Sequence, residues 1–168
     1  QNPMKKLCIL TVGLMLMALA VMPVQAFTMK SLSINLEQNG DAEIAMQYDL
    51  SFIEQSAVFL HIADPAGELQ SAFRSGSATA VTVTEATSSS ARIMVPAFAS
   101  VATTDGKTVI ATPSVSFERA RDVLNSYWFA PLISPDFSPA VTIVTFPDGH
   151  HEYFYDQISI PSVAHSIT

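Results

Sequence analysis

The stretch LSINLEQNGDAEIAMQYDL, residues 32–50, decides the fold. Apolar and polar residues alternate on both sides of Asn39-Gly40, as in Leu32-Ser33-Ile34. Because successive side chains of a strand point to opposite faces, this pattern predicts two strands that each bury one face. Asn-Gly is typical of the tight type I′ turn, so the stretch indicates a β-hairpin. We call Asn39-Gly40 the first turn.

Two similar signals follow, a second turn at Asp105-Gly106 and a third at Asp148-Gly149. Both are flanked by segments rich in β-branched or aromatic residues, which favours two more type I′ hairpins. Another strand pair is predicted around a serine-rich turn. The predicted strands total about eight, and the later pairs cover residues 80–85 with 91–95, 100–104 with 107–112, and 141–146 with 150–155.

Two segments indicate helix. Residues 52–62 follow Ser51, which with Glu54 fits a capping box, and Asp64-Pro65 indicates a second helix start that runs to about residue 73. Alternating apolar residues leave a strand as the alternative for residues 52–62. Residues 117–128 follow Ser116, a suitable N-cap. The predicted fold class is therefore α+β, an antiparallel, hairpin-rich sheet with two or three helices packed on it. A β-sandwich with little helix is the alternative.

Residues 4–26 have the pattern of a secretory signal peptide, with two lysines, an apolar run and a small residue, Ala26, at the expected cleavage position. The alternative is an uncleaved anchor, for which the apolar run is short against the roughly 20 residues that a crossing needs. We expect residues 1–26 to comprise a short remnant, residues 1–3, and this signal peptide. Residues 27–168 are then a single mature β-rich domain, secreted or held in the extracellular cell envelope.

The charge balance limits the kinds of partner that the protein is expected to bind. The chain has 8 basic and 15 acidic residues and a formal net charge of −7. Such a surface repels phosphate and anionic headgroups, so we expect no nucleic-acid partner and no membrane insertion after cleavage. The single cysteine, Cys8, lies within the signal peptide, so the mature domain must fold without an internal disulfide.

The densest polar constellation is Asp148-Gly149-His150-His151-Glu152. On a strand, His150 and Glu152 share a face, and a metal site there would need further ligands such as His61 or His165. Because hairpin tips collect polar residues in water, we predict a solvated tip instead. No nucleophile elbow, paired catalytic carboxylates or phosphate loop is present in the sequence, so we assign no catalytic, cofactor-binding or metal residues and no cofactor.

Aromatic residues are concentrated towards the C-terminus and invite the hypothesis of a carbohydrate surface. Core packing is the favoured role for most of them. Tyr153 and Tyr155 should nevertheless face away from Phe154 on the same strand, so one aromatic face is free to contact a partner. The full cluster is Tyr127, Trp128, Phe129, Phe137, Phe146, Tyr153, Phe154 and Tyr155.

Two stretches, residues 38–51 and residues 126–149, resemble small exported proteins of methane-producing archaea. They include Gln38-Asn39-Gly40-Asp41-Ala42 and Ser126-Tyr127-Trp128-Phe129-Ala130-Pro131. The resemblance implies an envelope or extracellular location in an anaerobe. It implies no activity, and no functional residue can be carried over from it.

The leading functional prediction is a non-enzymatic, extracellular structural or interaction protein of the cell envelope. It would self-assemble, or bind another envelope protein, through strand edges, because its strands are short and few lysines guard them. The alternative is a soluble secreted ligand-binding or inhibitor module. A secreted enzyme ranks third.

Overall fold

The computed structural model describes residues 28–49, 81–87, 89–126 and 136–168. Within these ranges there are eleven strands and one helix of eight residues. The elements, in chain order, are β1 (Thr28–Leu36), β2 (Ala42–Asp49), β3 (Thr82–Ala86), β4 (Ser90–Val95), β5 (Ser100–Thr104), β6 (Lys107–Ala111), β7 (Val115–Ser116), α1 (Glu118–Asn125), β8 (Val141–Thr145), β9 (His151–Tyr155), β10 (Ser159–Ile160) and β11 (Ala164–Ile167).

Six strands form one sheet, the main sheet, in the order β3-β4-β2-β1-β8-β9. All neighbours are antiparallel except β1 and β8, which run parallel with Leu32 opposite Thr142. Backbone bonds outside the ladder support this pairing, from Met29 N–H to the Asp136 carbonyl at 3.2 Å and from Ala140 N–H to the Met29 carbonyl at 3.1 Å. The prediction of a purely antiparallel sheet is therefore wrong, because β8 joins a strand far away in the sequence as well as its hairpin partner β9.

Two smaller sheets complete the described fold. One, the minor sheet, is antiparallel with the order β11-β6-β5, and the other pairs β10 with β7. Buried side chains from all three sheets and from the start of α1 belong to one hydrophobic cluster, which includes Ile44, Ile110, Val115, Phe117 and Ile160. Burial of this apolar surface is the main stabilising term that holds the sheets together.

The predicted fold class is wrong in its helices. The described residues are dominated by strand and contain only one short helix, so the protein is not an α+β fold with two or three helices. The low helix content agrees in that respect with the β-sandwich alternative. The helix expected over residues 117–128 exists as Glu118–Asn125, and Ser116 Oγ accepts from Glu118 N–H at 3.3 Å. The helix expected at residues 52–73 lies outside the described residues.

All three predicted hairpins form, but only the second has the predicted turn. There, both Asp105 and Gly106 have positive φ, as a type I′ turn requires. In the other two hairpins only the glycine has positive φ, and its N–H donates to the carbonyl three residues earlier, Glu37 for Gly40 and Phe146 for Gly149. These are type I turns followed by a left-handed glycine, so the type I′ predictions for them are wrong.

Candidate functional site

The predicted polar constellation forms a cluster at the tip of the β8–β9 hairpin. His150 Nε2 lies 2.8 Å from Glu152 Oε1, and His165 Nε2 from β11 lies 2.6 Å from Asp148 Oδ2. The two imidazoles stack with their centroids 4.1 Å apart and their planes at 10°. We call Asp148, His150, Glu152 and His165 the histidine cluster.

The histidine cluster connects two sheets. Asp148, His150 and Glu152 belong to the main-sheet hairpin, whereas His165 lies in the minor sheet. Buried Phe146 contacts both imidazoles, with ring centroids 5.0 Å from His165 and 5.8 Å from His150. The cluster is therefore the polar rim of an inter-sheet contact whose apolar part is Phe146.

The electrostatic effects in the histidine cluster come from hydrogen bonds between neighbouring groups. The hydrogen bond from His165, followed by the backbone N–H of His150, lowers the pKa of the Asp148 carboxyl below its ordinary value of 3.8. Both bonds stabilise the ionised carboxylate, which is why the pKa falls. Each imidazole in the stack has its own carboxylate partner, so a positive charge on either ring is compensated across a hydrogen bond.

Sequence reasoning placed His150 and Glu152 on one face, and the structure confirms that placement. His165 was named only as a possible further ligand of a metal site; its bond to Asp148 and its stacking on His150 depend on how the minor sheet packs beside the hairpin. His61 lies outside the described residues. Among the residues that are described, no three His, Cys, Asp or Glu side chains are arranged to hold a metal ion.

A hydroxyl–imidazole contact occurs beside the cluster. Thr145 Oγ1 lies 3.1 Å from His151 Nδ1 on the open face of the sheet. In the part of the chain that the structure describes, no carboxylate hydrogen-bonds His151 to complete a nucleophile–base–acid arrangement. The contact is a cross-strand pair, since Thr145 and His151 are register partners.

The outer face of the main sheet carries the exposed aromatics. Tyr153 is 50% exposed and Tyr155 is 63% exposed, whereas Phe154 between them packs against the core. This confirms the predicted alternation along β9. The aromatics predicted at positions 127–129 lie outside the described residues, and Phe137 and Phe146 are buried in the core, as predicted for most of the cluster.

Register extends this face across four strands. Tyr155 is opposite Val141, which is opposite Ser31, which is opposite Gln47. The neighbouring row runs in the same way from Tyr153 to β2. We call the two rows together the tyrosine face: Tyr153, Ile143, Ser33 and Ala45 in one row, and Tyr155, Val141, Ser31 and Gln47 in the other.

The edge of the minor sheet is a second exposed feature. All five residues of β5 are exposed, none is charged, and the β5–β6 register has no irregularity. Among the described residues, no segment besides β6 makes a backbone hydrogen bond to β5. Within the described residues, the outward backbone groups of this strand therefore have no strand partner and offer a template for another strand.

Comparison with known proteins gives no family: no family model, no curated protein and no solved structure matches the chain. Within the described ranges, none of the helical structure has the length and apolarity that crossing a lipid bilayer requires.

Proposed function

We propose that this protein is a non-enzymatic, extracellular interaction protein of the cell envelope, which joins a second copy of itself or another envelope protein by strand pairing at β5. The observation that carries the proposal is the composition of that edge. Ser100–Thr104 is SVATT, in which every residue is exposed and none is charged. A straight, uncharged edge strand is a template for a further strand.

The two edge strands of the main sheet differ in ways that discourage pairing. The pairing of β3 with β4 has a register shift between Val83 and Glu85, and Glu85 places a charge on the edge. On the opposite edge of the main sheet, β9 carries Glu152 and two bulky tyrosines. Bulges and charges are devices that protect strand edges, and β5 has neither.

Strand pairing also suits the side chains of β5. Val101 and Thr103 point to one face, and Ser100, Ala102 and Thr104 point to the other. All five are small or β-branched, so a second strand can approach without steric conflict, and β-branched residues pack well across strands. Such pairing needs no special residues, in keeping with the absence of a catalytic motif in the sequence.

A soluble secreted binding module is the second candidate. The tyrosine face favours it, because two exposed aromatic side chains beside each other on a sheet are typical of a contact surface. The two candidates use different surfaces, on different sheets, and separate variants can test them.

The test is size-exclusion chromatography with light scattering on residues 27–168, with variants Ala102→Lys and Val109→Lys. Ala102 and Val109 are register partners, so the two lysines occupy one row, on the edge strand and on the central strand. Association that is lost in Ala102→Lys and retained in Val109→Lys supports edge pairing. Loss in both variants indicates stacking through the sheet face and contradicts edge pairing.

A capture experiment tests for a partner other than a second copy of the chain. Residues 27–168 are immobilised and exposed to solubilised envelope proteins, with the Ala102→Lys variant as the control. A protein retained by the wild type and not by the variant supports the proposal. A wild type that stays monomeric at high concentration and retains no envelope protein overturns it.

A further inference from the structure

We propose that the tyrosine face binds a neutral carbohydrate chain. This site is separate from the β5 edge and goes beyond strand pairing. It lies on the outer side of the main sheet and extends from β9 to β2. Strands in a sheet are about 4.8 Å apart, so the face spans roughly 14 Å between the tyrosines and the β2 residues. That width accommodates several sugar rings.

The tyrosines supply stacking surfaces that the fold itself does not use. Phe154 anchors β9 to the core, while Tyr153 and Tyr155 leave half or more of their surface in water. Neither tyrosine hydroxyl is hydrogen-bonded to another described residue, and the one ring contact is between Tyr153 and His151, with centroids 6.1 Å apart. The apolar C–H face of a sugar ring stacks on such rings, and the free hydroxyls can bond to it.

Hydrogen-bonding groups lie beyond the rings. In the second row, Val141 continues the apolar surface, and Ser31 and Gln47 follow with a hydroxyl and an amide. Gln47 is exposed, and Ser31 is half-buried. A sugar chain presents apolar C–H faces and hydroxyl edges in alternation. The row of ring, aliphatic, hydroxyl and amide groups therefore matches a sugar chain that lies across the strands.

The charges around the face indicate a neutral ligand. Arg92 pairs with Glu43 at 3.7 Å, and Lys30 pairs with Asp49 at 2.9 Å. The eight residues of the tyrosine face contain no ionisable side chain other than the two tyrosines. Neither the lysine nor the arginine beside the face is unpaired, and the net charge of −7 would repel a polyanion.

The test is native affinity electrophoresis of residues 27–168 in gels containing hydroxyethylcellulose, soluble mannan or xylan, with alginate as the anionic comparison. The wild type should be retarded by at least one neutral polymer and not by alginate. The Tyr153→Ala, Tyr155→Ala double variant should bind about tenfold more weakly, a loss of about 1.4 kcal/mol for the two ring contacts together. Gln47→Ala should also reduce the retardation.

Two controls establish whether the retardation depends on the tyrosine rings. Val101→Ala and Val109→Ala shorten exposed side chains on the minor sheet and should leave the retardation unchanged. The Tyr153→Phe, Tyr155→Phe double variant keeps the rings and should retain most of the binding. Thermal melts of all variants check that the fold is intact.

Three results would overturn the inference. These are no retardation of the wild type by any of the neutral polymers, retardation that survives the double alanine variant, and stronger retardation by alginate than by a neutral polymer. Self-association that depends on the tyrosines, without polymer binding, would instead assign the face to a protein contact. The Ala102→Lys experiment is independent of all these results, so failure here leaves the strand-edge proposal standing.

Discussion

Gly40 and Ala99 hold the first turn against the chain segment that leads into β5. The Ala99 N–H donates to the Gly40 carbonyl at 2.8 Å, and a Cβ on Gly40 would clash with the Ala99 carbonyl oxygen. Asp41 strengthens the junction, since its Oδ1 accepts from Ala97 N–H at 2.8 Å. The main-sheet hairpin is thereby joined to the minor sheet through backbone groups that leave no room for a side chain.

We expect Gly40→Ala to lower the free energy of unfolding by about 3 kcal/mol, from the left-handed φ and the clash together. Gly106→Ala and Gly149→Ala are matched controls, because both glycines have positive φ and open space around the Cβ position. These controls should lose only about 1 kcal/mol. Denaturant unfolding measures all three variants, and equal losses would show that the Ala99 contact contributes nothing.

Replacement by valine is expected to have opposite effects on stability at Thr142 and at Thr112. Thr142 is fully buried opposite Leu32 and Phe154, and its Oγ1 has no hydrogen-bond partner among the described residues. Removal of this unsatisfied hydroxyl in Thr142→Val should raise the free energy of unfolding by about 1 kcal/mol. Thr112 Oγ1 instead accepts from Val163 N–H at 3.1 Å, so Thr112→Val should lower it by about 1–2 kcal/mol.

Thermal and denaturant melts of these two valine variants form a matched comparison, because both sites are buried and the chemical change is the same. If Thr142→Val destabilised the protein as much as Thr112→Val, the Thr142 hydroxyl would have to be hydrogen-bonded in the folded protein.

From the Asp148–His165 hydrogen bond we expect a specific pH dependence of the stability of the fold. Because the pKa of Asp148 is lowered in the folded protein, its ionised form stabilises the fold above the ordinary value of 3.8. That contribution is lost as the pH falls through the lower folded pKa. His165→Asn should therefore raise the pKa of Asp148 towards its ordinary value, as measured by carboxyl carbon shifts in an NMR titration.

His151→Asn is the control for that titration, because His151 contacts Thr145 and not Asp148. Its substitution should leave the titration of Asp148 unchanged. A similar shift in both variants would mean that the general loss of a histidine, and not the bond to His165, controls the carboxyl.

The histidine cluster should not bind zinc tightly. Both imidazole Nε2 atoms and both carboxylates already bond one another, so a metal would have to replace these contacts. We expect calorimetric titration of residues 27–168 with zinc to show no specific sub-micromolar binding. Such binding, if it were abolished by His150→Ala, would contradict this interpretation of the cluster.

The local features of the fold were readable from the sequence. Alternation predicted β1 and β2, enrichment in β-branched and aromatic residues predicted β8 and β9, and glycine-containing dipeptides located the three hairpins correctly. Turn types were harder to predict. In the third turn, Pro147 restricts its own φ and so favours a type I turn, whereas the Asp148-Gly149 dipeptide alone indicates type I′. Serine at position 116 correctly marked the start of α1.

The sequence by itself determined the strand pairs β1–β2, β3–β4, β5–β6 and β8–β9, where they turn and which side of them is apolar, since these depend on neighbours along the chain. It did not indicate the short strands β7, β10 and β11. Only the tertiary structure decided that β8 lies parallel to β1, that His165 stacks on His150, and that Tyr155 shares a row with Gln47. Those pairings join distant segments, and their choice depends on how the whole apolar surface is buried at once, which a local pattern does not encode.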